Sequence, residues 1–314
     1  MLSGATVMGL TFASCEKDNG PSNPVTDTDR WITISGALMK TNPGDGDGGT
    51  NVYSISAEQA KDPNFAINVF DNGMAIKSSR TARLQASADG KFLYNIQYTG
   101  DDGGIFNKYV VQGGKSYLPE GPEVATAAYV SASPRWLKAA EGIGVAVRAT
   151  ATTEYSGTNP NFVFTKQSVK ADVISLDLDD PKITKTAAFD LLLSPEEVAE
   201  NYYISRIDVP VINKAKNKVF IGAAVNKLIT DNFTIKAEGK PKFVNDENGV
   251  KAFAKTIVLD YPSLENPVIL NSTQTRGNTN GYRSTQQYVG TDGHMYQSTS
   301  GERPGDGGSK ILRI

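Results

Sequence analysis

Short runs of alternating apolar and polar residues recur along the chain, and most end at a turn rich in Gly and Asp. Three such runs are RWITISGALM, KFLYNIQY and HMYQSTS. A period of two indicates half-buried β-strands, and Asp-Gly between such runs indicates hairpins, because Gly adopts positive φ without a Cβ clash. The pattern predicts an all-β protein.

The runs are parts of a repeat. GGTNVYSI at 48–55 returns as GGSKILRI at 307–314 and, more loosely, as GGIFNKYVV at 103–111. Each copy follows an acidic Gly turn and an extended run, and two of the runs begin at the matching turns SADGK and GTDGH. A fourth strand follows a polar turn, as in DVISLDLDDPKITKTAAF and TIVLDYPSLENPVIL. The predicted unit is therefore an antiparallel meander of four strands.

Recurring four-stranded units predict the blades of a β-propeller. Full blades are expected to begin near Arg80, Tyr129, Ser205 and Arg283, after a first partial blade from Trp31. The last residues fall within a third strand, so we expect a C-terminally truncated fragment of a longer propeller, because terminal repeats normally cap an array. One helix is predicted from Ser194, which has Glu197 at the capping-box spacing.

The first residues predict export and lipid attachment. Residues 1–14 are uncharged and mostly apolar or small, as in a secretory signal peptide. Phe12, Ala13 and Ser14 precede Cys15 and resemble a bacterial lipobox, which would make Cys15 the lipidated residue. The alternative is a small buried cysteine of the mature fold. Residues 15–29 read as a polar tether, and residues 30–314 as the propeller domain.

Composition narrows the possible partners. The net charge is -2, from 32 basic and 34 acidic residues, so no overall field draws the protein to nucleic acid or to an anionic membrane surface. A lone cysteine cannot form an intrachain disulfide, and the single histidine, His294, cannot build a zinc site. Any charge-based recognition must be local.

Three arginines share one position in the repeat. Arg80 and Arg283 each precede the Gly of an Asp-Gly turn by ten positions, and Arg206 precedes Asn217, its apparent turn equivalent, by eleven. In a propeller these strand entries surround one mouth of the central channel. A ring of guanidinium groups with aromatic neighbours suits an anionic, aromatic ligand. The alternative is that these arginines pair with Asp or with carbonyl groups between blades.

The candidate ligand-binding residues combine those arginines with nearby basic and aromatic side chains. They are Arg80, Arg83, Arg135, Trp136, Tyr203, Arg206, Tyr282 and Arg283.

No catalytic or metal motif is expected in the chain. His294 occupies the turn position of Lys91 and is expected to be a solvated hairpin residue. The chain lacks a Gly-x-Ser-x-Gly elbow, an HExxH helix and a phosphate loop. The acids of DGDGG at 45–49 lack the EF-hand spacing and its closing Glu, so turn formation explains them better than calcium.

Residues 30–55 and 78–109 resemble a family of Bacteroidota surface lipoproteins that includes the lipoprotein of a xenosiderophore-utilisation system. The charged triplet Glu16, Lys17 and Asp18 resembles the surface-export signal of such proteins. The resemblance covers the chain after the tether. It implies a seven-bladed β-propeller, anchored on the outer membrane and exposed at the cell surface. The family's expected activity is to capture ferric enterobactin, a catecholate siderophore, and to pass it to a TonB-dependent outer-membrane transporter.

The leading hypothesis is thus a non-enzymatic siderophore-capture lipoprotein without a resident cofactor. Two other hypotheses stay open. A lactonase- or quinoprotein-like propeller enzyme would need an acid/base or metal cluster at the channel mouth. A glycan- or protein-binding surface propeller would show an aromatic, weakly charged mouth.

Overall fold

A computed structural model describes residues 30–41, 48–80, 82–98, 102–281, 287–301 and 305–314. The predicted signal peptide (1–14), the tether (15–29) and Cys15 lie outside these ranges. Tyr282 and Arg283 lie outside them as well. Among the described residues, no helix combines the length and apolar character needed to cross a membrane.

The described chain is almost entirely β, as the alternating pattern predicts. Its strands are β1 (Trp31–Ala37), β2 (Thr50–Ser56), β3 (Met74–Ile76), β4 (Gln85–Ala86), β5 (Phe92–Ile96), β6 (Ile105–Gly113), β7 (Ser116–Pro119), β8 (Val124–Ala125), β9 (Arg135–Ala140), β10 (Ile143–Thr158), β11 (Asn161–Asp177), β12 (Lys182–Asp190), β13 (Tyr202–Ile212), β14 (Lys218–Ile235), β15 (Pro241–Asn245), β16 (Phe253–Asp260), β17 (Val268–Arg276), β18 (Tyr288–Val289), β19 (Met295–Ser298) and β20 (Ile311–Arg313). Four short helices lie between them: α1 (Ala57–Lys61), α2 (Val69–Asn72), α3 (Ala127–Val130) and α4 (Pro195–Ala199).

The strands form antiparallel sheets, each from one continuous stretch of the chain, which we number in chain order. Sheet 1 has the order β1-β2-β3; sheet 2 has β4-β5-β6-β7, with β8 on β6; sheet 3 has β9-β10-β11-β12; sheet 4 has β13-β14-β16-β17, with β15 on β14; and sheet 5 has β18-β19-β20. The predicted four-stranded meanders are confirmed in sheets 2, 3 and 4, whereas sheets 1 and 5 have three strands each among the described residues. Each sheet begins within a few positions of the expected start. None of these sheets closes on itself.

Each sheet packs on the next one along the chain. Three buried apolar clusters lie between sheets 1 and 2, between sheets 2 and 3, and between sheets 3 and 4. Sheets 4 and 5 meet partly through polar groups, where Thr256 is hydrogen-bonded to Gln297 at 2.5 Å. The first strands of sheets 2 to 5 also touch in order, β4 with β9, β9 with β13, and β13 with β18.

The hairpin turns before the second strands share one geometry. In SADGK the amide of Gly90 donates to the carbonyl of Ser87 at 2.9 Å, and in GTDGH the amide of Gly293 donates to that of Gly290 at 3.0 Å. Both glycines have positive φ, 71° and 84°. The matched turns predicted from the sequence are therefore confirmed.

The corresponding residue of sheet 4 is Lys216, and Asn217 was the wrong choice. The amide of Lys216 donates to the carbonyl of Asn213 at 2.9 Å, and Lys216 has φ 52°. Lys216 therefore occupies the place of Gly90, which shortens the spacing from Arg206 to ten positions. Sequence comparison missed it because Lys rarely adopts positive φ.

The predicted helix at Ser194 is confirmed as α4. The amide of Glu197 donates to Oγ of Ser194 at 3.3 Å, and the Glu197 carboxylate accepts from the Ser194 amide at 3.4 Å. This is the capping box expected from the spacing.

Sheets 3 and 4 extend into long two-stranded ribbons that the sequence analysis did not predict. β10 and β11 pair over their whole length, whereas β12 joins β11 only from Lys170 onward. β14 pairs with β15 beyond its partner β13. We call the rings between these ribbons the ribbon cluster; it consists of Tyr155, Phe162, Phe164, Phe233 and Phe243.

The ribbon cluster joins sheet 3 to sheet 4 far from their main core. The Phe162 and Phe233 ring centroids are 5.6 Å apart, and those of Phe164 and Phe243 are 5.5 Å apart, both edge to face. Such pairs stabilise beyond their area burial. The cluster therefore holds the two ribbons against each other.

Candidate functional site

Three arginines from three different sheets converge on one carboxylate. Arg83 lies just before β4, Arg135 is the first residue of β9, and Arg206 lies in β13 together with Asp208. Their side chains meet because the first strands of sheets 2, 3 and 4 are neighbours. We call Arg83, Arg135, Arg206 and Asp208 the arginine cluster.

Asp208 is the centre of the cluster and is fully buried. Arg83 binds it in a bidentate manner, with Nη1 at 2.8 Å from Oδ1 and Nη2 at 3.1 Å from Oδ2. Nη2 of Arg206 lies 2.6 Å from the same Oδ2. Burial by itself raises the pKa of Asp208, but the hydrogen bonds and charge of Arg83, with the hydrogen bond from Arg206, outweigh it and lower the pKa below its usual value.

A break in the regular pairing of β13 positions this carboxylate. The register against β14 shifts between Asp208 and Val211, and Val209 has φ 49°, which is unusual for a β-branched residue. The amide of Val209 donates to Oδ1 of Asp208 at 2.9 Å, and its carbonyl accepts from Nε2 of Gln287 at 2.6 Å. The Val209 backbone is thus held on both sides.

Arg135 differs from the other two arginines of the cluster. Its Nε lies 3.9 Å from Oδ2 of Asp208, and its guanidinium lies over the Tyr98 ring, 5.6 Å from the centroid. It makes no hydrogen bond to the part of the chain that the structure describes, and its side chain is 25% exposed. Burial and the charges of Arg206 and Arg83 lower its pKa.

The ring of Tyr98 lies beside the arginine cluster. The guanidinium of Arg80 also lies over its ring, at 5.9 Å from the centroid. A tyrosine face attracts cations, so two guanidinium groups are placed on one ring. Arg80 therefore lies next to the cluster through its contact with Tyr98, whereas Arg83 binds the carboxylate of Asp208.

Two of the predicted aromatic residues lie elsewhere. Trp136 is 1% exposed and packs edge to face on Phe106, with 5.9 Å between ring centroids, so its ring belongs to the core between sheets 2 and 3. The hydroxyl of Tyr203 donates to Oδ1 of Asn245 at 3.0 Å, and burial raises its pKa. Neither ring lies in the arginine cluster, because the Trp136 ring packs against sheet 2 and the Tyr203 hydroxyl is bonded to Asn245 of β15.

His294 lies in the turn where the sequence places it. Its amide donates to Oδ1 of Asp292 at 3.1 Å, as the amide of Lys91 donates to Oδ1 of Asp89 at 3.0 Å. The two residues are equivalent, as predicted. In the described ranges, no group of three or more His, Cys, Asp and Glu side chains is placed to hold a metal ion.

Sequence reasoning missed Asp208 and Tyr98. Asp208 stands in the apolar run IDVPVI, two positions after Arg206, so an acid at a buried position was visible. Tyr98 ends the run KFLYNIQY and carried no distinguishing signal.

Comparisons with known proteins do not indicate a function, so the geometry of the arginine cluster is the main evidence for one. No protein-family model matches the chain, and no curated protein matches it.

Proposed function

We propose that the protein binds an anionic, aromatic small molecule at the arginine cluster. The carrying observation is Arg135, which two other guanidinium groups flank and which forms no hydrogen bond within the described ranges. One carboxylate faces three guanidinium groups, so the cluster as defined has a net charge of plus two. An anion placed beside Arg135 would meet an oriented planar donor and an aromatic face.

The proposed ligand is a ferric catecholate siderophore such as enterobactin. It is a trianion with three flat catecholate rings, which fits a cluster of guanidinium groups next to Tyr98. Its iron is already chelated, so the protein need supply no metal ligands. The family resemblance of residues 30–55 and 78–109 supports the same ligand class.

The proposed architecture is a β-propeller. Two observations support it: each sheet packs on the next in chain order, and the first strands of sheets 2 to 5 touch in the same order. Arranging the sheets radially places those first strands around one axis. The arginine cluster then lies at the centre, where side chains distant in sequence meet.

The proposed setting is the cell surface. A lipid on Cys15 would anchor the domain to the outer membrane, and residues 15–29 would let it move towards a TonB-dependent transporter that receives the ligand. Labelling of expressing cells with an alkyne-bearing palmitate tests the anchor. We expect label on the wild type and none on Cys15→Ser; equal labelling of both would refute lipidation at this residue.

The cluster's charge favours this proposal over a glycan-binding propeller, for which a weakly charged aromatic mouth was expected. An enzyme would need an acid or base near its working pH, whereas Arg83 and Arg206 keep Asp208 ionised. That the protein is not an enzyme stays a prediction.

Ferric enterobactin titrated against intrinsic fluorescence tests the proposed ligand. We expect Arg135→Gln to weaken binding about tenfold to a hundredfold, because a charge-assisted contact is lost. Arg276→Gln is the matched control: Arg276 also lies over an aromatic ring, that of Phe253 at 4.1 Å, but away from the cluster. Equal affinity of the wild type and Arg135→Gln would contradict the proposal.

A further inference from the structure

Lys255 is a buried amine in sheet 4, apart from the arginine cluster. It lies in β16, and its side chain is only 1% exposed. The alternation of the strand puts it on the same face as Ile257 and Leu259, which belong to the core between sheets 3 and 4. A lysine at such a position needs partners for its charge, and the nature of those partners is informative.

The amine of Lys255 contacts a carboxylate and a side-chain amide at once. Its Nζ lies 2.6 Å from Oε1 of Glu197 and 2.7 Å from Oδ1 of Asn271. Lys255 and Asn271 are directly opposite each other in the β16–β17 ladder, so their side chains leave the same face of the sheet. Because a C=O bond is about 1.2 Å long, Nζ lies within about 4 Å of Cγ of Asn271. A nucleophile, a proton acceptor and an acyl carbon therefore lie together.

The cap of α4 holds Glu197 in this position. Glu197 is the third residue of the helix, and its other oxygen, Oε2, accepts from the Ser194 amide at 3.4 Å. The carboxylate is thus fixed with Oε1 directed at Nζ of Lys255. When a proton moves from a buried ammonium to such a carboxylate, both charges disappear from the interior. The transfer also leaves the unprotonated amine that attack on a carbonyl carbon requires.

A second buried lysine shows what is particular to this arrangement. Nζ of Lys108 also lies near a carboxylate, that of Glu120 at 2.8 Å, but its other acceptor is the backbone carbonyl of Asp179 at 2.9 Å. Attack on a backbone carbonyl would cut the chain, whereas attack on the side-chain amide of Asn271 releases only ammonia. The contacts of Lys255 therefore fit a reaction that those of Lys108 do not.

We propose that Lys255 and Asn271 form a covalent isopeptide bond, with Glu197 as the general base and acid. Glu197 takes one proton from the ammonium, and the free amine attacks Cγ of Asn271 to form the new C–N bond. The Cγ–Nδ2 bond breaks, and Nδ2 leaves as ammonia after a second proton of Nζ reaches it through Glu197. The first proton then departs with the ammonia as ammonium, so Glu197 ends as a carboxylate and no further reactant is needed.

The surroundings of Asn271 suit this reaction. The residue is exposed, so the released ammonia can pass directly into water. The terminal torsion of an asparagine is broad, which lets the face of its carbonyl turn towards Nζ. The bond ties β17, the outermost strand of sheet 4, to β16 and closes residues 255–271 into a ring. This modification does not depend on the ligand proposed for the arginine cluster.

Tryptic peptide mapping of the denatured full-length chain by mass spectrometry tests the bond. Trypsin does not cleave after an acylated lysine, so the bonded chain should yield residues 252–276 as one ring-containing peptide, about 17 Da lighter than its sequence because ammonia is lost. An unbonded chain should yield residues 252–255 and 256–276 separately. Cyclisation of Asn271 onto its own backbone would remove the same mass but would leave Lys255 cleavable. We expect the ring peptide in most wild-type molecules.

Variants test the role of each group. Glu197→Gln keeps a residue suited to the capping box but removes the proton acceptor, so the yield of the ring peptide should fall at least about tenfold. Asn271→Ala removes the acyl carbon and should abolish the ring peptide. Glu200→Gln is the matched control: Glu200 follows the same helix and lies 3.2 Å from Nζ of Lys227, away from Lys255, and the yield should stay unchanged.

Three results would overturn the inference. The first is cleavage after Lys255 in the wild type with an unmodified Asn271. The second is a mass loss confined to the separate peptide 256–276, which would indicate cyclisation of Asn271 alone. The third is a ring peptide of undiminished yield in Glu197→Gln, which would remove Glu197 from the reaction. If Glu197→Gln fails to fold, the wild-type map and Asn271→Ala still decide whether the bond exists.

Discussion

Arg83 and Asp208 form a bidentate ion pair across 125 positions of sequence, with N–O distances of 2.8 and 3.1 Å. Arg83 precedes the first strand of sheet 2, and Asp208 lies in the first strand of sheet 4. All of sheet 3 lies between them in the chain, yet its Arg135 reaches the same carboxylate. The residues at or near the first strands of sheets 2, 3 and 4 therefore meet at this carboxylate.

Removing the shared charge should destabilise the fold. Asp208→Asn leaves three guanidinium groups without their common anion, and we expect a loss of about 2 kcal/mol in the free energy of unfolding, since the arginines are partly exposed. Urea unfolding measures it. Asp190→Asn, an exposed residue of β12, should cost less than about 0.5 kcal/mol. Equal stability of the two variants would contradict the central role of Asp208.

The same carboxylate should make stability depend on pH. The pKa of Asp208 is lower in the folded protein, so its contribution is present above the unfolded value of about 3.9 and is lost as pH falls through the folded value. The stability gap between the wild type and Asp208→Asn should therefore be widest near neutrality and shrink below about pH 4. Unfolding curves recorded across this range check it; a constant gap would argue against the shift.

The two matched turns should respond differently to the same substitution. Gly90 and Gly293 both have positive φ, but a Cβ on Gly90 would lie 1.9 Å from the carbonyl oxygen of Trp31, whereas nothing lies within 4 Å of one on Gly293. We expect Gly293→Ala to cost about 1 kcal/mol and Gly90→Ala about 3 kcal/mol. Thermal and urea unfolding compare them. Similar costs would mean that sheet 1 does not pack on this turn.

The ribbon cluster should show energetic coupling between sheets 3 and 4. A double-mutant cycle with Phe164→Ala and Phe243→Ala should give about 1 kcal/mol of interaction. The control cycle combines Phe164→Ala with Phe253→Ala, which lies in β16 against Arg276; these changes should add within about 0.5 kcal/mol. If the two changes were additive in the first cycle, the contact between the two ribbons would be contradicted.

The strands and turns were predictable because their signals are local. The pairs β1 with β2, β5 with β6, and β19 with β20 follow from alternation and from Gly at fixed offsets within a few residues. Lys216 escaped the same reasoning, since its positive φ comes from the hydrogen bonds of its turn and not from its side chain.

The convergence of arginines was predictable, but its contacts were not. Spacing within the repeat selected Arg80 and Arg206, and Arg83 and Arg135 were added as further basic residues of the expected mouth. Which guanidinium reaches a carboxylate depends on how whole sheets pack. The ribbon cluster depends on the same packing: Phe162 and Phe233 belong to different sheets, and neither has a sequence signal for the other.

Val209 connects three sheets through a single peptide segment. Its amide donates to Asp208, whose carboxylate binds Arg83 at the entry of sheet 2, and its carbonyl accepts from Gln287, which directly precedes sheet 5. Its left-handed backbone has few alternatives. One irregular position in β13 therefore fixes the entries of sheets 2, 4 and 5 relative to one another.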